Sequence, residues 1–184
     1  MLLMIGCSNN MSSHQKLIVI DACVARSSGG YQATSEEARN CRDILDAVLY
    51  NRHKLVFTRS IKAEWNVHSS KFARKWRRLM AQASQICFRA DPDKSILWNR
   101  IETATNCVEE RTILEKDFRY VAVALDADRI IVSRDKEARS AYQVIAILVS
   151  EIRTIVWVNP CNRSHRPFQW ISQGANRNSD LLLG

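Results

Sequence analysis

Asp21, Glu64, Asp117 and Asp135 are the side chains whose types and positions allow them to do chemistry together. Asp135 follows the uninterrupted run Ile130, Ile131, Val132, the pattern of a strand buried on both faces. Asp21 ends a short apolar stretch over residues 16–20 in the same way. Glu64 stands early in a helix that Ser60 can cap, and its spacing from Ile61 puts the carboxylate on or beside the inward face. Asp117 opens the apolar spacing of Val121, Ala124 and Leu125, so it reads as a first-turn residue of another helix. In an open α/β sheet with right-handed crossovers, strand ends and the helix starts that follow them gather along one edge. Carboxylates gathered there repel: two unit charges ~4 Å apart cost about 4 kcal/mol at an effective dielectric of roughly 20. A cation among them removes that cost, and oxygen-only ligands select a hard ion, Mg²⁺ or Mn²⁺. The chemistry such a site supports is hydrolysis of a phosphodiester by an activated water. The expected products carry a 5′-phosphate and a 3′-hydroxyl, and no ribose 2′-hydroxyl is consumed.

Each of these acids also has a bland reading, as a helix cap or a turn residue; only their joint placement argues for a site. Ser133 either orients the cluster or caps the turn after its strand. Asp126 and Asp128 precede a strand and belong at the opposite edge, as solvated loop acids. His14, His53, His68 and His165 read as surface or boundary residues, and none is placed as a base. Trp65 and Trp76 read as core residues.

The elements that must position these groups alternate between strand and helix, which is the order of an α/β fold. Strands are expected over residues 16–20, 54–57, 129–133 and 154–158. A helix capped by Ser35, with Glu36 and Glu37 in its first turn, buries Ala38, Cys41, Ile44, Leu45, Val48 and Leu49. A second amphipathic pattern runs over residues 71–87, with Lys71, Arg74, Lys75, Arg77 and Arg78 on its other faces; that charged side is either solvated or a contact for RNA phosphates. Asp91, Pro92 and Asp93 form a turn before a helix that points Ile96, Leu97 and Ile101 inward, and a last helix is expected over about 138–151.

A chain of 184 residues fits one domain with a core of its own. Residues 1–14 read as a disordered leader, with Met11 an alternative start; residues 15–160 read as the domain, and 161–184 as a basic tail or docking arm. The six cysteines show neither a CxxC pair nor zinc spacing, which favours buried thiols in a reducing, cytoplasmic setting. No apolar run approaches the roughly 20 residues that cross a bilayer, so no membrane partner is expected. The net charge of +8 disposes the surface toward polyanions such as RNA. Dinucleotide and P-loop phosphate motifs are absent from the sequence.

Four stretches in this order, IDACVA (residues 20–25), SIKAEW (60–65), KDFRYVAVAL (116–125) and IIVSRDKEAR (130–139), resemble the PIN-domain nucleases, a family that includes VapC-like toxin ribonucleases. The resemblance spans roughly residues 17–158. It implies a three-layer α/β/α fold around a central, mainly parallel sheet. It also implies an acidic quartet of Asp21, Glu64, Asp117 and Asp135 that binds Mg²⁺ or Mn²⁺, with Ser133 orienting it, and an endoribonuclease activity. A toxin–antitoxin or defence role, a protein antitoxin or regulator, and a homodimer follow from the same resemblance. Two positions depart from it: Cys23 stands where relatives often carry Asn or Ser, removing a polar contact near the metal, and Lys116 stands where some carry a further acid. Both feed the alternative of a catalytically silent module that binds RNA or a protein; a phosphatase for small esters is a third reading, which the basic surface disfavours.

Overall fold

A computed structural model describes residues 15–93, 95–105 and 107–184. The leader read over residues 1–14, with Cys7, Met11 and His14, lies outside the described residues. Five strands, β1 (Leu17–Ile20), β2 (Lys54–Phe57), β3 (Ile86–Phe88), β4 (Ile130–Val132) and β5 (Val156–Val158), form one sheet in the order β3-β2-β1-β4-β5. All four pairings are parallel, with Ile18 opposite Leu55 on one side and Ile130 on the other. A parallel sheet covered by helices on both faces needs strands that are apolar throughout, and β4 and β5 are buried at every residue. The expected three-layer α/β/α architecture is therefore what the chain adopts.

Among the described residues there are eight α-helices: α1 (Ala22–Ser27), α2 (Glu36–Tyr50), α3 (Arg59–His68), α4 (Lys71–Gln82), α5 (Ser95–Ala104), α6 (Val108–Leu125), α7 (Lys136–Leu148) and α8 (Pro167–Ser172). Helices α1, α2, α4 and α8 pack together, and α5, α6 and α7 form a second group. The order in which strands are added reverses at β1: the first crossovers build outward to β3, and the later ones return to place β4 and β5 on β1's other side. The crevice between the carboxyl ends of β1 and β4 is thus the place where an α/β sheet binds ligands. Trp65 and Trp76 are buried with ring centroids 6.0 Å apart, as core residues. Their indole N–H groups are satisfied by the carbonyls of Ile20 (2.8 Å) and Leu45 (2.7 Å).

Several local expectations are corrected. Helix α3 is capped by Thr58, whose hydroxyl accepts from Ile61 N, while Ser60 donates to Asp91 at 2.5 Å. The amphipathic pattern over residues 71–87 is two elements, because Ser84 turns the chain at φ 56° and Ile86–Phe88 pairs with β2 as a strand. Short α1, leaving β1 directly, has too few residues to show a helical period. Ile96 on α5 is exposed rather than inward. Residues Ile152–Thr154 form a 3-10 turn before β5 rather than the start of the strand. All five described cysteines are free, but only Cys41 is a buried thiol: Cys23, Cys87 and Cys161 are partly buried and Cys107 is exposed.

The largest revision concerns residues 161–184, which are folded onto the domain rather than forming a free tail or arm. Trp170, Ile171, Leu181 and Leu183 are buried, α8 lies against α2, and Leu182 bridges antiparallel to Val156. The few apolar anchors stand at irregular intervals among polar residues, so no period reveals them. His53 is fully buried beneath this segment: its Nδ1 accepts from Lys16 N (3.1 Å) and its Nε2 lies 3.3 Å from Ile171 O. His165 is buried as well, accepting from Asn159 N at 3.1 Å. Neither is the surface or boundary residue that the sequence indicates.

Candidate active site

Asp21 leaves β1 and caps α1 in the same step. Its Oδ1 accepts from Cys23 N at 2.8 Å, and its own N–H donates to Val132 O at 3.0 Å, carrying the β1–β4 ladder one residue beyond the strand. Its Oδ2 accepts from Ser133 Oγ at 2.6 Å and from Cys23 Sγ at 2.9 Å. Ser133 Oγ in turn accepts from Asp135 N at 3.0 Å, so one hydroxyl ties the two strand-end acids together. Asp135 caps α7, with Oδ1 accepting from Ala138 N (2.9 Å) and Oδ2 from Lys116 Nζ (3.0 Å). Burial pushes its pKa up, but the Ala138 N–H and Lys116 outweigh that and hold it below the ordinary carboxylate value.

The two helical acids arrive differently. Asp117 is not in the first turn of its helix: α6 begins at Val108 behind an N-cap of Cys107, and Asp117 sits in its middle. A thiol is a weak acceptor, so Cys107 gives no recognisable start signal. Asp117 is 5% exposed, and its Oδ2 has no hydrogen-bond partner among the described residues. Burial first, then the charge of Asp21, raises its pKa from 3.8 to about 7, against the lowering effect of Lys116. Glu64 lies beyond the first turn of α3 and is partly buried. Its Oε2 accepts from Tyr120 Oη at 2.6 Å and lies 3.5 Å from Arg119 Nη1. Tyr120 Oη also accepts from Ala22 N at 3.1 Å, so one phenol links Glu64 to the start of α1 beside Asp21. Burial and the neighbouring Asp21 hold that phenol protonated.

All four acids line one open cavity of about 310 Å³, with Arg26, His68, Lys116, Arg134 and Cys23 around them. Of these basic neighbours, Arg26 and Arg134 have no signal in the sequence, and His68 reads there as a surface or boundary residue. Arg26 and Arg134 are two residues of an abundant type, and no spacing rule ties them to the acids. His68, the last residue of α3, is one helical turn beyond Glu64, which was a usable signal. Cys23 keeps the polar contact that its size and type were expected to remove: N–H and S–H both donate to Asp21, and Arg134 N donates to its sulfur at 3.3 Å. Burial and Asp21 raise the thiol pKa, so it stays a neutral donor and not a soft thiolate ligand. Asp126 and Asp128 lie away from this cavity, and Asp128 is structural: its Oδ2 accepts from Leu17 N at 2.7 Å.

Among the described residues, no group of three or more His, Cys, Asp or Glu side chains is arranged to hold a metal ion. Asp21 and Asp135 turn their oxygens to local donors, and Glu64 turns to Tyr120 and Arg119. What the cavity offers a hard cation is a carboxylate donor set with one buried oxygen, Asp117 Oδ2, that no described residue satisfies. An orphaned carboxylate of this kind costs stability unless it takes a proton or a cation. No protein-family profile, curated protein or solved structure matches this chain significantly. No helix among the described residues is long and apolar enough to cross a membrane.

Proposed function

We propose that the chain is a Mg²⁺- or Mn²⁺-dependent endoribonuclease of the PIN type. The observation that carries this reading is the buried, unpartnered Asp117 Oδ2 in a cavity that Asp21, Glu64 and Asp135 also line. These four acids would hold the ion, and Ser133 fixes Asp21 relative to Asp135 through its two hydrogen bonds. A divalent ion bound there supplies Lewis-acid polarisation of the phosphodiester and a lowered pKa for a water. The protein's own part is to orient the backbone. Arg26, Arg134 and His68 rim the cavity, and beyond His68 the exposed Lys71, Arg74, Lys75 and Arg78 of α4 extend a basic surface with no acid in that helix. The net charge of +8 favours the same class of substrate.

The test is cleavage of an end-labelled single-stranded RNA with Mn²⁺ against excess chelator. Asp21→Asn and Asp135→Asn keep side-chain shape while removing charge, and each should reduce metal-stimulated cleavage at least about 10²-fold with the circular dichroism spectrum unchanged. Wild-type turnover by both variants refutes the assignment. One observation favours a second reading, a catalytically silent RNA-binding module: Lys116 already neutralises Asp135. Retention of the RNA with no cleavage under any divalent ion would select that reading.

A further inference from the structure

Lys116 immediately precedes Asp117 on α6, and its ammonium is 3.0 Å from Asp135 Oδ2. The side chain is 65% exposed and lines the same cavity as the four acids, so the ammonium stands at the cavity face rather than in the core. An ammonium has three N–H donors, and among the described residues Asp135 is the one hydrogen-bond acceptor it is given. Arg119 is placed in a comparable way against Glu64, which also accepts from Tyr120. Two of the four carboxylates thus have a fixed side-chain cation beside them. Among the described residues the other two have no side-chain cation in contact: Asp21 is bonded only by neutral donors, and Asp117 Oδ2 has no hydrogen-bond partner. When Asp117 ionises, these two carboxylates together carry two negative charges, which one divalent ion would balance.

On the basis of the nuclease reading above, we infer that this site takes a single divalent ion, held chiefly by Asp21 and Asp117 of the four acids, and that Lys116 provides the second positive charge. Nuclease sites with two metal ions use the second to stabilise charge that develops on the phosphate. Lys116 lines the cavity and gives one of its three N–H donors to Asp135, so the ammonium is the group that would meet a phosphoryl oxygen. Lysine suits this position because its ammonium is a compact point charge on a flexible stem. Substrate contact therefore requires only rotation of the side chain, with Asp135 as its anchor.

The decisive measurement is the stoichiometry of Mn²⁺ binding to the full chain without RNA, by calorimetry and by the free-ion electron paramagnetic resonance signal, beside cleavage kinetics. Wild type should bind one Mn²⁺. Lys116→Asp, which exchanges the cation for a ligand, should bind two. Lys116→Met should still bind one, roughly tenfold more tightly because a like charge has been removed. Its kcat should fall about 10²-fold with KM changed only a few-fold, and Lys116→Arg should recover part of kcat. Two ions in the wild type, with metal-dependent cleavage retained, would overturn this inference and leave the ribonuclease reading standing. No bound ion and no cleavage would overturn both. One ion in the wild type but an unchanged kcat in a folded Lys116→Met protein would show that Lys116 serves Asp135 structurally, and would overturn its role. The wild-type stoichiometry and the Lys116→Met kinetics decide the matter even where Lys116→Asp does not fold.

Discussion

Replacing Asp117 with Asn should stabilise the metal-free protein, and should do so only as the pH rises. The buried carboxyl has its pKa raised from 3.8 to about 7, so the folded state holds a proton that the unfolded state has lost. For a carboxyl shifted in this direction, the stability contribution is fully present below the unfolded value and disappears as pH climbs to the folded one. Each pH unit within that window removes about 1.4 kcal/mol. Between pH 5 and pH 8 the wild type should therefore lose about 3 kcal/mol relative to Asp117→Asn, with the difference levelling above pH 7. The amide keeps the shape and carries no charge, so the variant lacks this slope. Urea denaturation in chelator at several pH values reads the gap directly. Added Mn²⁺ should restore the wild type and leave the variant where it was. Parallel stability curves across this range would refute the claim that Asp117 bears an uncompensated charge.

Tyr120→Phe removes the donor to Glu64 and the acceptor for Ala22 N together. Orphaning that buried amide should cost about 1–3 kcal/mol in urea melts, and a loss under about 0.5 kcal/mol would show that the phenol does not link the two elements. Trp170 is 7% exposed and donates to Asn176 O at 2.6 Å. Trp170→Ala should cost about 3–5 kcal/mol, whereas a free C-terminal arm would tolerate it with no change in melting temperature.

What the sequence made legible follows from how each feature is encoded. Strands β1, β2 and β4 are apolar runs closed by polar residues, and α2 carries a capping serine, two first-turn acids and a clean stripe. Asp21 and Asp135 were readable for the same reason, because a strand end fixes where the next side chain goes. Glu64 and Asp117 joined them through helix faces, yet the helix starts were misplaced. Thr58 competes with Ser60 for one cap, and Cys107 is a cap of poor chemistry. Strand β3 was hidden because Ile86 continues the helical spacing of the residues before it; only pairing with β2 makes it extended. Long-range partners were out of reach altogether. Nothing near Lys116 in the chain announces that it will meet Asp135, and nothing in a polar segment rich in Asn and Arg announces that His53 will receive Ile171.

The return of the chain beside β5 has one further outcome. Leu182 bridges Val156 and Leu183 N donates to Ile155 O at 3.0 Å, so the backbone at the start of that edge strand is already engaged. The opposite flank is only the three residues of β3. Both edges of the sheet thus offer only a short margin for recruitment of a foreign strand or stacking of copies into a continuous ribbon.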